Sequence, residues 1–183
     1  MIYFTSDLHW WHDREFVWGK RGFSNVREMT KAIFDEINKT VGPEDTLYIL
    51  GDLMLGDTEA GITLLQTLRC ADIHIILGNH DTVERAALYE KCWNVTEVVY
   101  ATVLKYGKWR FYLSHYRTQT GNTTDHGPTK SLINLYGHTH QPTSFAADDT
   151  WQNYNVGVDA HGCRPVSIDQ IIEEILTKYN KGE

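Results

Sequence analysis

No Cys-x-x-Cys pair occurs in this 183-residue chain, and its three cysteines, Cys70, Cys92 and Cys163, lie far apart. Neither a zinc knuckle nor a disulfide framework is indicated, and reduced, mostly buried thiols are the expectation. Nowhere is there a run of about 18 apolar residues, so no membrane-spanning helix is expected. Basic residues are in deficit: 17 Lys and Arg stand against 24 Asp and Glu, for a formal charge of −7. That argues against a protein coating nucleic acid through a broad basic surface, since such binding rests on neutralising many phosphates. It does not exclude a nuclease, because two bound divalent cations add about +4 locally. The first residues, Met1-Ile-Tyr-Phe-Thr-Ser-Asp7, lack a basic segment followed by an apolar one and enter a strand at once, so a cytoplasmic protein is expected. Repeats, low-complexity tracts and linkers are missing too, which points to a single domain over 1–183.

What is present reads as alternating strands and helices. Residues 2–6, 46–50 and 72–77 are short runs of β-formers, the last two continuously apolar as buried strands are. Between them, residues 27–40 and 58–69 carry apolar positions at helical spacing, and a further helix is expected over 82–92. The second half is mostly strand, at 95–103, 110–114, 132–136, 154–158 and 165–168, and closes with a helix near 169–180. Such a β-α-β-α-β half followed by a β-rich half predicts two sheets packed face to face with helices outside.

Five polar clusters fall just past strands: Asp7-x-His9, Gly51-Asp52, Gly78-Asn79-His80-Asp81, Ser114-His115 and Gly137-His138-x-His140. Strand ends converge on a common crevice in α/β folds. Carboxylate, imidazole and amide groups together suit borderline-hard divalent cations, and such cations in pairs suit phosphate esters. In this order the clusters resemble those of the calcineurin-like metallophosphoesterase superfamily. The opening Tyr3-Phe-Thr-Ser-Asp-Leu-His-Trp-Trp-His12 and the segment Asn155-Val-Gly-Val-Asp159 resemble a small bacterial and phage branch of it.

The resemblance implies a four-layer α/β-β/α sandwich of two mixed sheets flanked by helices. It implies one divalent ion held by Asp7, His9, Asp52 and His140, and a second by Asp52, Asn79, His115 and His138, with Asp52 bridging. Mn, Fe, Zn and Ni all suit these ligands. The implied reaction is hydrolysis of a phosphodiester or phosphomonoester by metal-activated water, with His80 protonating the leaving oxygen or steadying the transition state and Asp81 orienting His80. After Asp52 the chain reads Leu53-Met-Leu-Gly56 and lacks the arginine of the protein-phosphatase branch, which counts against a phosphoprotein substrate.

A small phosphate ester is favoured, a nucleotide-like one is left open, and no obligate protein partner is indicated. A nuclease and a metal-binding scaffold without catalysis are the rival readings. His12 and Arg117 are candidate substrate contacts, as is Arg14 more weakly. His161 and His126 are minor candidates for the cleft, and His74 reads as a core or sheet-edge residue. Trp10 and Trp11 could wall a pocket for a planar group, but core positions suit them better.

Overall fold

The computed structural model describes residues 1–121, 127–147 and 150–181. Strands β1 (Ile2–Thr5), β2 (Thr46–Leu50), β3 (Asp72–Ile76) and β4 (Val95–Val99) run parallel. With the two-residue β9 (Val166–Ser167), antiparallel to β1, they make a five-stranded sheet in the order β4-β3-β2-β1-β9. Strands β5 (Ala101–Tyr106), β6 (Trp109–Ser114), β7 (Leu132–Tyr136) and β8 (Asn153–Asn155) make the second sheet in sequence order. Its first pair is antiparallel and the other two are parallel. Two mixed sheets flanked by helices are the architecture that the sequence pattern predicts.

Period-two alternation divides the interior in two. On β2, Leu47 and Ile49 join Met29, Ile33 and Ile37 of α2 (Val26–Thr40) and Leu65 of α3 (Thr58–Thr67) in one core. Tyr48 and Leu50 of the same strand face Phe111, Leu113, Ile133 and Leu135 of the second sheet in the other. The closing helix α5 (Ile168–Lys181) adds Ile168, Ile171 and Ile175 to that second core. Asn25 caps α2 by accepting from Glu28 N at 2.9 Å, and Asp57 caps α3 by accepting from Ala60 N at 3.0 Å. No helix among the described residues is long and apolar enough to cross a membrane.

The single strand expected over 95–103 is two. The chain leaves β4 in the first sheet, turns at the exposed Tyr100 and enters β5 at the edge of the second. Nothing local punctuates that turn, because the β-forming pattern runs through it without Gly or Pro. The strand expected at 154–158 keeps only Asn153–Asn155, with Gly157 continuing as an isolated bridge to Ser6. The two other α-helices among the described residues are short: Glu15–Trp18, too short to show a period in sequence, and Val83–Tyr89. They are labelled α1 and α4.

Candidate metal centre

The C-terminal ends of β1, β2 and β3 and those of β6, β7 and β8 meet at one edge of the two sheets, and the polar clusters leave from there. Leaving a strand abruptly puts Asp7, His9, Asp52, His138 and His140 in the left-handed region, with φ of 58°, 49°, 54°, 65° and 50°. Non-glycine residues avoid that region, so five such conformations at one edge mark a functional cluster held by its surroundings. The first two loops are laced together, with Asp7 N donating to Gly51 O and His9 N to Asp52 O, both at 3.0 Å. Gly137 is required by close approach, since a Cβ there would lie 1.9 Å from Ser6 Oγ and 2.5 Å from Asp7 Oδ2.

Two groups of donor atoms result. Asp7, His9 and His140 bring one ligand atom each within 4.8 Å of one another, and Asp52, His115 and His138 do the same. Asp52 Oδ2 stands between the two groups, 3.7 Å from His9 Nε2 and 3.5 Å from His115 Nε2. Its Oδ1 accepts from His80 N at 2.9 Å. The Asn79 side-chain oxygen joins the second group, 3.0 Å from His115 Nε2. The backbone N of His138 donates to both oxygens of Asp7, at 3.0 and 2.9 Å, which fixes that carboxylate.

The donor set suits cations because carboxylate oxygens, an amide oxygen and imidazole nitrogens crowd together there. His115 Nδ1 uses its proton on Leu50 O at 2.8 Å, so its Nε2 presents a lone pair toward Asn79 Oδ1 and Asp52 Oδ2. His140 Nδ1 does likewise on Asp159 Oδ2 at 2.9 Å, turning its Nε2 toward His9 Nε2 at 3.1 Å and Asp7 Oδ1 at 3.8 Å. Acceptors confronting acceptors in a buried place repel unless a cation lies among them. Burial, then the neighbouring His140 and Arg21, push His9 down to about 2, so it is neutral and able to ligate at any ordinary pH. Burial, then His115, also lowers His138. Burial raises the Asp7 carboxyl, against the pull of His140 and His115. For His140, burial opposes protonation, but the Asp159 hydrogen bond and the charge of Asp7 outweigh it and the pKa rises.

Arg21 and Asp159 are parts of the site to which sequence reasoning gave no role. Asp159 takes Arg21 Nε at 2.9 Å and Nη2 at 2.8 Å while holding His140. The guanidinium is buried, and its Nη2 also donates to Asp7 O at 2.8 Å. The forked pair thus ties the loop after β8 to the loop after β1 and sets the ring of His140. The segment 155–159 was the available signal for Asp159; Arg21 had none. Because outer partners of a metal-binding histidine typically govern affinity about 10- to 100-fold, Asp159→Asn should weaken the binding of a divalent cation at the Asp7, His9 and His140 group by about that factor. Titration against a chelating dye reads this, and an unchanged affinity would rule out the orienting role.

Asp81 differs from expectation. One of its oxygens accepts from Asp52 N at 2.8 Å and Gly78 N at 2.9 Å, and the other from Tyr89 OH at 2.9 Å. No bond to the His80 ring occurs among the described residues. Asp81 is buried behind the loops and positions Asp52, whereas the His80 imidazole projects into the cleft, with its Nε2 4.0 Å from Asp52 Oδ2. His12 also lines the cleft, its Nδ1 3.2 Å from His9 Nδ1.

The remaining candidates lie elsewhere. Arg117 lines a separate cavity with Gln119 and Gln152, which shares no lining residue with the cleft. Arg14 is exposed ahead of α1, and His161 Nε2 is engaged with Asn155 O at 2.8 Å. His74 stacks on Tyr48 between Asp72 and Glu97. Trp10 is wholly buried and Trp11 packs on the same core, and neither lines the cleft. His126 lies outside the described residues.

The profile of the calcineurin-like phosphoesterase superfamily domain matches residues 1–158. The uncharacterized protein MJ1445 of Methanocaldococcus jannaschii is 30% identical over 181 residues, covering 95% of this chain and 90% of that one. The gene 66 protein of Mycobacterium phage L5 is 31% identical over 193 residues, covering 93% and 92%. In three dimensions the chain is similar to a protein of unknown function, AQ665, from Aquifex aeolicus. The TM-score is 0.70 at 21% identity, over 95% of this chain and 98% of that one, which is a likeness of fold.

Proposed function

The chain belongs to the calcineurin-like phosphoesterase superfamily, and from that membership we propose that it hydrolyses a small phosphate ester, a diester in preference to a monoester, with two divalent cations bound. The observation that carries the reading is the position of Asp52 Oδ2, within 3.7 Å of an imidazole Nε2 in each group. In this reading Asp7, His9, Asp52 and His140 hold one cation, and Asp52, Asn79, His115 and His138 the other. Such a pair supplies charge neutralisation of the phosphoryl oxygens and acidification of water. The chain's own part is to fix the ligands, bring the ester to the cleft and manage the leaving oxygen.

What supports giving His80 that last task is that its backbone N is tied to Asp52 Oδ1 while its ring lines the cleft, with Nε2 4.0 Å from Asp52 Oδ2. His12, beside His9, is the proposed contact for the ester's remaining oxygens. Mn²⁺, Fe, Zn²⁺ and Ni²⁺ all accept such nitrogen and oxygen ligands.

Metal-stripped protein should be inert toward both bis-p-nitrophenyl phosphate and p-nitrophenyl phosphate, and Mn²⁺ should restore turnover with the diester ahead. No turnover of either ester with any of these ions, in protein shown to bind two of them, would overturn the proposal.

A further inference from the structure

Helix α1 is short and anchored by one buried side chain, Val17, which belongs to the core. Its neighbour Phe16 is 63% exposed. Single exposed apolar residues are ordinary, but this one has a defined place. It walls the cleft whose floor is His9, His80 and His140, and its ring stands edge-on to His12 with centroids 6.0 Å apart. Lys20, one turn further along, is the one lysine or arginine lining that cleft among the described residues. The cleft holds about 360 Å³, at the small end of the roughly 300–1,000 Å³ range of ligand pockets.

We propose that Phe16 is a stacking platform that makes this cleft select phosphate esters carrying a nucleobase. The inference rests on the phosphoesterase reading above and names its substrate class. A phosphate drawn to the histidine groups leaves its organic substituent beside Phe16, Val17 and the Lys20 stem. Those walls offer a π-face and apolar surface and few hydrogen-bonding partners, so they suit a flat ring better than a bare sugar. Every base has such a face, which makes stacking a source of affinity that is tolerant of base identity. The Lys20 ammonium at the same rim can meet a carbonyl oxygen of the base or an oxygen of the phosphate. The same position that the sequence pattern offered to Trp10 and Trp11 is thus filled from the following helix.

The test compares two esters with one leaving group, thymidine 5′-monophosphate p-nitrophenyl ester and methyl p-nitrophenyl phosphate. The thymidine ester should be favoured about ten-fold in kcat/KM, mainly through KM. The ratio should fall to about one in Phe16→Ala and persist in Phe16→Trp. In parallel, calorimetry on the Mn²⁺-loaded protein should find AMP binding about ten-fold tighter than ribose 5-phosphate, with the difference lost in Phe16→Ala. A wild-type ratio near one, or a ratio that survives Phe16→Ala, would overturn the platform. Equal favour for phenyl p-nitrophenyl phosphate would overturn the nucleobase assignment in particular. If neither ester is cleaved, the phosphoesterase reading fails by itself, and the calorimetric ratio still decides whether Phe16 selects a base.

Discussion

Asp52→Asn should reduce bound metal from two ions per chain to at most one and lower diester turnover by about 10³-fold or more, the scale of a lost charge-stabilising contact in a dry site. The reason lies in one atom. Asp52 Oδ2 is within reach of both His9 Nε2 and His115 Nε2, so a negative oxygen there serves both proposed cations. An amide of the same shape carries no charge. If its nitrogen takes the Oδ2 position, it faces those two imidazoles as a donor and offers a cation no lone pair. The fold should survive, because the backbone N of Asp52 remains held by Asp81, and Oδ1, which accepts from His80 N, can be the retained oxygen. Metal content by elemental analysis, with a thermal melt of the metal-free protein as the check on folding, reads both halves. Two tightly bound ions and intact turnover in the variant would show that Asp52 does not bridge.

How far such a site can be read in advance depends on whether its parts leave a local signal. The strand ends do. Each of Asp7, Asp52, Asn79, His115 and His138 follows an apolar run within a few residues, and period-two alternation leaves little choice about where those runs are buried. What joins the clusters is another matter. Arg21 reaches Asp159 across 138 positions of sequence through the packing of α1's surroundings on the loop after β8, and no residue near either one announces the other.

Asp81 was misassigned for a related reason. Adjacency in Gly-Asn-His-Asp suggested a carboxylate serving the next imidazole. The turn instead points the carboxylate inward, to two backbone N–H groups and Tyr89, where an unpaired charge would be costly without those three donors. The split of 95–103 into two sheets is likewise invisible locally, since β propensity reports a pleated surface and not which sheet supplies it. The place of Phe16 at the cleft has no sequence signal because a four-residue helix has no periodicity, whereas of the two adjacent tryptophans Trp10 is core and Trp11 packs against it.

His80→Ala should leave both metal sites loaded while lowering kcat by about 10²- to 10⁴-fold, the range for a positioned proton donor. The backbone of His80 donates its N–H to Asp52 Oδ1, and alanine keeps that bond. Its carbonyl accepts from Arg85 Nη1 at 2.6 Å, a second anchor that does not depend on the ring. Turn and ligands therefore stay in place, and what disappears is an imidazole about 4.0 Å from Asp52 Oδ2 on the open side of the cleft. Proton donation can be separated from steadying of charge by the leaving group. p-Nitrophenolate departs without help, whereas phenolate, several pKa units more basic, needs a proton. If His80 supplies that proton, the variant should lose more with a phenyl than with a p-nitrophenyl diester, by about ten-fold or more. Equal losses would instead assign the ring to the equatorial oxygens, as a hydrogen-bond donor whose effect is blind to what leaves. An unchanged kcat with both esters would remove His80 from the chemistry and point to His12, an imidazole outside the proposed ligand set that faces the same space.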